Sequence, residues 1–172
     1  MSRRSPIIRE LDKGLAISIG GPQRDAALQA FREQIQAWNV ALPPAEPLVL
    51  DFGLGRFAQV GLIECWIANE MEAGYCGKYL FVFDEQTCPQ HRHAAKHETF
   101  FIVKGRVRMQ KGERAFEMNA GDILPVAPGE SHSFTGIGPA LLLEISRPCE
   151  IDDNDFADAL IPIGKNATKA DG

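Results

Sequence analysis

The sequence has little cysteine, and none of it is spaced to bind a metal. Cys65, Cys76, Cys88 and Cys149 are separated by 11, 12 and 61 residues, with no C-x-x-C pair among them. That argues against a cysteine zinc site. In a reducing cytoplasm the four thiols read as small buried hydrophobes. No apolar run approaches the roughly 20 residues that span a bilayer. No apolar stretch follows Arg3 and Arg4, because Arg9, Glu10, Asp12 and Lys13 interrupt it. No signal peptide is therefore expected, and the cytoplasm is the default location. Basic clusters are lacking as well: 18 Lys and Arg stand against 23 Asp and Glu, a formal net charge of -5. That balance argues against a nucleic-acid binder or a protein of anionic membrane surfaces. Internal repeats and low-complexity tracts are also missing. What remains is a globular composition, 45% hydrophobic and 24% charged over 172 residues. It suits one domain with a sizeable core, and not a disordered chain, a coiled coil or a collagen-like repeat.

The pattern along the chain divides residues 1–47 from 48–148 and from 149–172, within one domain overall. In the first part, Leu15–Ile19 reads as a possible strand ended by Gly20, Gly21 and Pro22. From Gln23 to about Val40 the apolar residues Ala27, Phe31, Ile35 and Trp38 recur at helical spacing, predicting one amphipathic helix. Pro43, Pro44 and Pro47 follow it. Its apolar stripe needs a partner, either the rest of the domain or another subunit. From residue 48 onward short strands alternate with Gly and Pro turns. They are Leu62–Asn69, Lys78–Asp84, Thr99–Val103, Arg106–Lys111, Arg114–Met118, Asp122–Val126, Ser131–Thr135 and Ala140–Ser146. This predicts an all-β antiparallel sandwich or barrel. The tail is acidic (Glu150, Asp152, Asp153, Asp155, Asp158) and is expected over the surface.

One constellation carries chemistry. His91 and His93 are separated by one residue, so on a strand both imidazoles face the same way. Glu98 follows five residues later, and His132 comes just past the Pro128-Gly129 turn. Three imidazoles and a carboxylate suit a divalent first-row metal such as Mn, Fe, Co, Ni or Zn. His97 would face away from Glu98's side. Glu144 interrupts the run Ala140–Ser146, sharing a strand face with Leu142 and Ser146. Buried there it needs a charged partner; on a wetted edge strand it needs none. Lys96 lies between the histidine pair and Glu98, and on composition alone it could be a solvated hairpin lysine. Lys78 and Gln86 are further candidates for lining or supporting a cavity. Asp51 could equally be a turn residue at a strand end.

The spacing His91-x-His93-x4-Glu98-x6-Gly105, then Gly121, Pro128-Gly129 and His132, resembles the double signature of the cupins. Glu85 and Ala127 stand where that signature has a glycine and a proline. The resemblance implies a single cupin barrel, a double-stranded β-helix or jelly roll, with an N-terminal helix and a metal in its lumen. A narrower likeness covers about residues 48–160. Asp51-Phe52-Gly53-Leu54-Gly55, Lys78, Gln86-Thr87, Pro89 and the Asp153-Asn154-x-Phe156 run resemble the D-lyxose isomerase family. That likeness implies a metal-dependent aldose–ketose isomerase acting on D-lyxose, D-mannose or a related small-molecule sugar, and working as a homodimer. The metal ligands would be His91, His93, Glu98 and His132. Glu144 would be the catalytic base and Lys96 a catalytic donor two residues before the glutamate ligand, with Lys78 and Gln86 at the substrate. No redox change is required, so manganese suffices. An Fe(II) dioxygenase on the same fold and a non-catalytic sugar-binding or sensor module are the rival expectations.

Overall fold

The computed structural model describes residues 6–166; Arg3 and Arg4 lie outside the described residues. Two helices, α1 (Pro6–Ala16) and α2 (Gly21–Ala37), precede eleven strands. The strands are β1 (Leu48–Leu50), β2 (Leu62–Glu70), β3 (Tyr75–Val82), β4 (Thr87–His93), β5 (Glu98–Lys104) and β6 (Arg106–Lys111). They continue with β7 (Arg114–Asn119), β8 (Ile123–Val126), β9 (His132–Gly136), β10 (Ala140–Ser146) and β11 (Asn154–Phe156). A six-stranded sheet runs β1-β2-β3-β10-β5-β8 and a five-stranded sheet runs β11-β4-β9-β6-β7. Every strand pair within these sheets is antiparallel. This is the all-β barrel expected from the cupin signature. Its core is shared by inward residues of both sheets, including Leu80, Phe100, Ile102 and Leu142 from one and Cys88, Val107, Met109 and Phe134 from the other.

The N-terminal segment departs from the reading of Leu15–Ile19 as a strand. Helix α1 runs to Ala16, and only Ser18 makes an isolated bridge to Leu50. Pro6 opens that helix, where its missing N–H costs nothing. Helix α2 begins at Gly21 with Pro22 in its first turn, so the Gly-Pro run starts the helix. It stops before the prolines, at Asn39, whose φ of 52° is left-handed. Asn39 N–H donates to Gln36 O at 3.0 Å and Val40 N–H to Ile35 O at 3.2 Å, satisfying the last carbonyls.

The α2 stripe finds its partner within the chain. Ala27, Leu28, Phe31 and Ile35 bury against Val49, Ile63, Cys65, Phe81 and Leu141 on the outer face of the six-stranded sheet. Phe31 and Phe81 meet edge to face, with ring centroids 5.1 Å apart. Strand alternation explains the sorting: Leu141 and Phe81 face the helix, whereas Leu142, Leu80 and Val82 face the lumen.

The acidic tail does more than cover the surface. β11 extends the five-stranded sheet beside β4, and Phe156 and Ile161 enter the main core. The sequence pattern also passes over the short strands β1 and β11. At Glu85 φ is 57°. The position where the cupin signature carries glycine is therefore a left-handed one here too, occupied at a modest conformational cost. At Gly105 a Cβ would lie 2.2 Å from Pro139 O, so no side chain fits.

Phe31→Ala is expected to lower stability by about 3–5 kcal/mol, the usual cost of removing a fully buried aromatic. Urea unfolding monitored by circular dichroism would check it; a loss under about 1 kcal/mol would mean that α2 is not anchored through this ring.

Candidate active site

The site lies in the lumen, where the two sheets meet. β4 carries His91 and His93, β9 carries His132 and β5 carries Glu98. His91 is paired directly with His132 across β4 and β9. A bulge on β4 between Cys88 and His91 adjusts the register there. One ligand-type atom from each of these four residues falls within 4.8 Å of the others. His132 Nε2 is 2.7 Å from Glu98 Oε1 and His93 Nε2 is 3.4 Å from the same oxygen.

The donors are aimed for coordination. His91 Nδ1 lies 2.8 Å from Pro89 O and His132 Nδ1 lies 3.1 Å from Glu130 O. Nδ1–H is therefore the donor in both rings, leaving each Nε2 lone pair directed inward. His93 Nε2, His132 Nε2 and Glu98 Oε1 are buried against one another, and these contacts do not have hydrogen-bond geometry. Buried polar atoms rarely remain without a hydrogen bond. Three lone-pair donors and a carboxylate converging on one point form a set that a divalent cation completes.

Beside the cluster runs a row of buried charges. Lys96 Nζ is 2.9 Å from Glu98 Oε2 and 3.0 Å from Glu144 Oε1. Glu144 Oε2 is 3.4 Å from Lys78 Nζ. Ser146 Oγ donates to Glu144 Oε1 at 2.9 Å. Glu144 is 3% exposed and its neighbour Ile145 is 58% exposed, so the carboxylate points inward from its strand. Burial alone would raise the Glu144 pKa, but Lys78 and Lys96 hold it below the ordinary carboxylate range. Burial would likewise depress Lys96, and Glu144 and Glu98 more than offset this, holding the ammonium above its ordinary range. Glu144 is thus ionised and Lys96 is charged.

The loop carrying Lys96 is held from far along the chain. Asp153 accepts from the backbone N–H groups of Ala94, Ala95 and Lys96 at 3.0–3.2 Å. Its Oδ2 also comes within 4.0 Å of His93 Nδ1. Asp153 is in turn fixed from α1: Glu10 accepts the Ile151 N–H at 2.6 Å, and Lys13 bridges Glu10 and Asp152 at 2.9 and 2.7 Å.

Of the sequence candidates, His91, His93, Lys96, Glu98, His132, Glu144 and Lys78 are brought together. Gln86 is not. Its side chain is fully buried outside the lumen wall, accepting from Phe83 N–H at 3.1 Å and donating to Phe57 O at 2.5 Å. It braces the turn before β4 and does not line the cavity. Asp51 accepts from Gly53 and Gly55 N–H at 2.9 Å each, which makes it a turn residue. His97 is exposed, as alternation required. Sequence reasoning missed Glu64 on β2, whose Oε1 lies 3.2 Å from Lys78 Nζ. It also missed Trp66, which with Glu64 and Cys149 helps to line the lumen cavity.

The barrel and its ligand cluster define a cupin, and a cupin domain model matches residues 80–146. The D-lyxose/D-mannose isomerase of Thermosediminibacter oceani is 30% identical, over 75% of this chain and 87% of that protein. The D-lyxose ketol-isomerase of Cohnella laeviribosi is 31% identical, over 78% of this chain and 88% of that protein. The ligand-free L-ribose isomerase of Cellulomonas parahominis shares the fold, with a TM-score of 0.67 at 15% identity over 84% of this chain and 96% of that one. The chain belongs to the D-lyxose ketol-isomerase family and is an aldose–ketose isomerase.

Metal bound by the cluster should be lost or greatly weakened in His91→Ala and in His132→Ala. Elemental analysis of both folded variants decides this, and unchanged content in both would sink the ligand assignment. Burial, with smaller contributions from neighbouring charges, holds the His91 and His93 pKa values below the ordinary imidazole range. The folded protein then binds fewer protons than the unfolded chain once pH falls below about 6.5. Stability from these groups is therefore present above that pH and is lost below it. The melting temperature of metal-free protein should fall between pH 7 and pH 5, and bound metal should oppose the fall.

Proposed function

We propose that this isomerase converts D-lyxose, D-mannose or a related unphosphorylated aldose to its ketose, with a divalent metal at His91, His93, Glu98 and His132. Manganese suffices because the substrate is neither oxidised nor reduced overall. The observation that supports the reading is the Glu144–Lys96 pair, 3.0 Å apart and buried beside the ligand cluster. A fold alone would not carry it. Neither an Fe(II) dioxygenase nor a sugar sensor needs a paired base and donor at this position.

When bound, the cation supplies Lewis-acid stabilisation of the charge that develops on the sugar's two reacting oxygens. Glu144, held as a carboxylate, takes the proton from C2 and returns it to C1. The Lys96 ammonium donates to the carbonyl oxygen as the C–O double bond moves from C1 to C2. The hydroxyl proton leaving O2 passes to Lys96 as O1 gains the one Lys96 gives up, so both residues end in their starting protonation states. Ser146 and Lys78 keep the Glu144 carboxylate aimed inward, and the lumen's apolar wall (Leu80, Phe100, Phe134) keeps bulk water from the pair.

A homodimer and a cytoplasmic location complete the proposal. Exposed Ile67, Ile123 and Ile145 on the outer sheet face beyond α2 support a second copy there, since α2 itself is already covered. Light scattering on the purified protein reads the mass directly. Four buried free thiols suit a reducing compartment. Among the described residues no helix is long and apolar enough to cross a membrane.

The proton-transfer roles have separate tests. Glu144→Gln should keep fold and metal, lose turnover, and lose exchange of the substrate C2 hydrogen with solvent deuterium. Isomerisation surviving in this variant would discard the base assignment. Lys96→Met should cost on the order of 100-fold or more in kcat with little change in metal content. A fully active Lys96→Met protein would return Lys96 to a purely structural role.

A further inference from the structure

Proton transfer uses Glu144 and Lys96, and the ligand cluster uses Glu98. Glu64 has a part in neither, yet it is buried in the same cavity wall. Its side chain is 12% exposed. Its Oε1 lies 3.2 Å from Lys78 Nζ, and its Oε2 accepts the Trp66 indole N–H at 2.8 Å. The charges follow the strand order β5-β10-β3-β2: Glu98, Glu144, Lys78, Glu64. Lys78 is the direct cross-strand partner of both Glu144 and Trp66. Adjacent strands are about 4.8 Å apart. Glu64 therefore lies two strand spacings beyond Glu144, on the side away from the ligand cluster. That reach matches an open-chain pentose whose C1–C2 end is held at Glu144 and the cluster.

Hydrogen-bonding capacity separates Glu64 from Lys78. Lys78 has three donors. It donates to Glu64 at 3.2 Å and to Cys149 Sγ at 3.8 Å, and it is ion-paired with Glu144 at 3.4 Å. An ionised carboxylate offers about four acceptor positions. Lys78 and Trp66 occupy two at Glu64, and the others open on a cavity that Glu64 lines together with the Trp66 ring. Buried acceptors of a charged group need donors, and sugar hydroxyls are donors.

We infer that Glu64, braced by Lys78 and Trp66, is the specificity-determining acceptor for the hydroxyls at the far end of the sugar, and that its charge excludes aldoses carrying a terminal phosphate. The inference rests on the isomerase reading above and adds a residue to the substrate's binding site. Lys78 is then the brace, and Glu64 the contact. A phosphate placed at that end would meet a carboxylate whose one cationic neighbour is already committed.

D-lyxose and L-ribose differ only at C4, so their ratio of kcat/KM reads this end of the site alone. Wild-type protein loaded with manganese should discriminate between them, and Glu64→Gln should shrink the discrimination at least about tenfold, the usual worth of a hydrogen bond to a charged group. The change should appear mainly in KM, with metal content unchanged. An unchanged ratio, with both sugars slowed equally, would make Glu64 a counter-ion of Lys78 and overturn the inference. The second measurement needs no variant: wild type should turn over D-mannose but not D-mannose 6-phosphate. Equal turnover of the two would also overturn it. Absence of ketose from every aldose would sink the isomerase reading itself, which is distinguishable from ketose formation with the wrong selectivity.

Discussion

The structure depends on keeping charges buried inside a β-barrel. An isolated carboxylate or ammonium in such a place is too costly to persist. Here Glu98, Lys96, Glu144, Lys78 and Glu64 alternate in sign, with successive contacts of 2.9, 3.0, 3.4 and 3.2 Å. Each inner member touches a partner on both sides. Breaking such a series by deleting one charge typically costs about 3–5 kcal/mol, because a neighbour is left buried and unpaired. The same arrangement sets the chemistry. A carboxylate between two lysines is ionised and a lysine between two carboxylates is charged, which is what the proposed proton transfer requires.

The fold supplies that row through register. In the six-stranded sheet β10 lies between β3 and β5, so Glu144 is paired with Lys78 on one side and with Phe100 on the other. Ser146, two residues on, is paired with Glu98. A slip of one residue in β10 would turn Glu144 outward and put Ile145 in the lumen. Leu141 and Phe81, clamped under α2, oppose that slip. The helix thus reaches the site without touching it. The C-terminal segment acts more directly, since Asp153 gathers the three amides of the loop that presents Lys96.

Much of this was legible in the sequence, and the exceptions have physical causes. The convergence of His91, His93, Glu98 and His132 was legible because His-x-His on a strand and a glutamate at the next strand's start form a local pattern. Glu144 was legible because a carboxylate inside Leu-Leu-Leu-Glu-Ile contradicts its surroundings. Glu64 carries the same contradiction, between Ile63 and Cys65, but its strand also holds Asn69 and Glu70, and that polar end blurs the pattern. Lys96 on its own composition read equally well as a hairpin lysine; its role came from resemblance to a family. Gln86 was misread because a buried amide serving two backbone groups looks, in sequence, like one serving a ligand. Asp153 was legible as part of the Asp153-Asn154-x-Phe156 run, but nothing in the sequence said what it holds. Its partners lie 57–59 residues away, and only the docking of β11 beside β4 brings them together. The strand expected at Leu15–Ile19 failed because apolar residues at two-residue spacing (Leu15, Ile17, Ile19) also fit the end of a helix followed by a single bridge.

The sign of the cavity's charge connects the row to the ligand cluster. Three carboxylates face two ammonium groups along the wall, so one negative charge is in excess, and Glu98 carries it into the histidine cluster. Neutral imidazoles cannot balance it, and burial keeps His91 and His93 neutral by lowering their pKa values. A divalent cation is the group that both satisfies the inward nitrogen lone pairs and reverses the sign. With it in place the wall is net positive, the field in which a sugar losing a C–H proton is favoured. The same positive field would attract a phosphorylated sugar more strongly than a neutral one. Discrimination against phosphate must therefore come from a local negative charge at the far end of the substrate, and in this cavity Glu64 occupies that end.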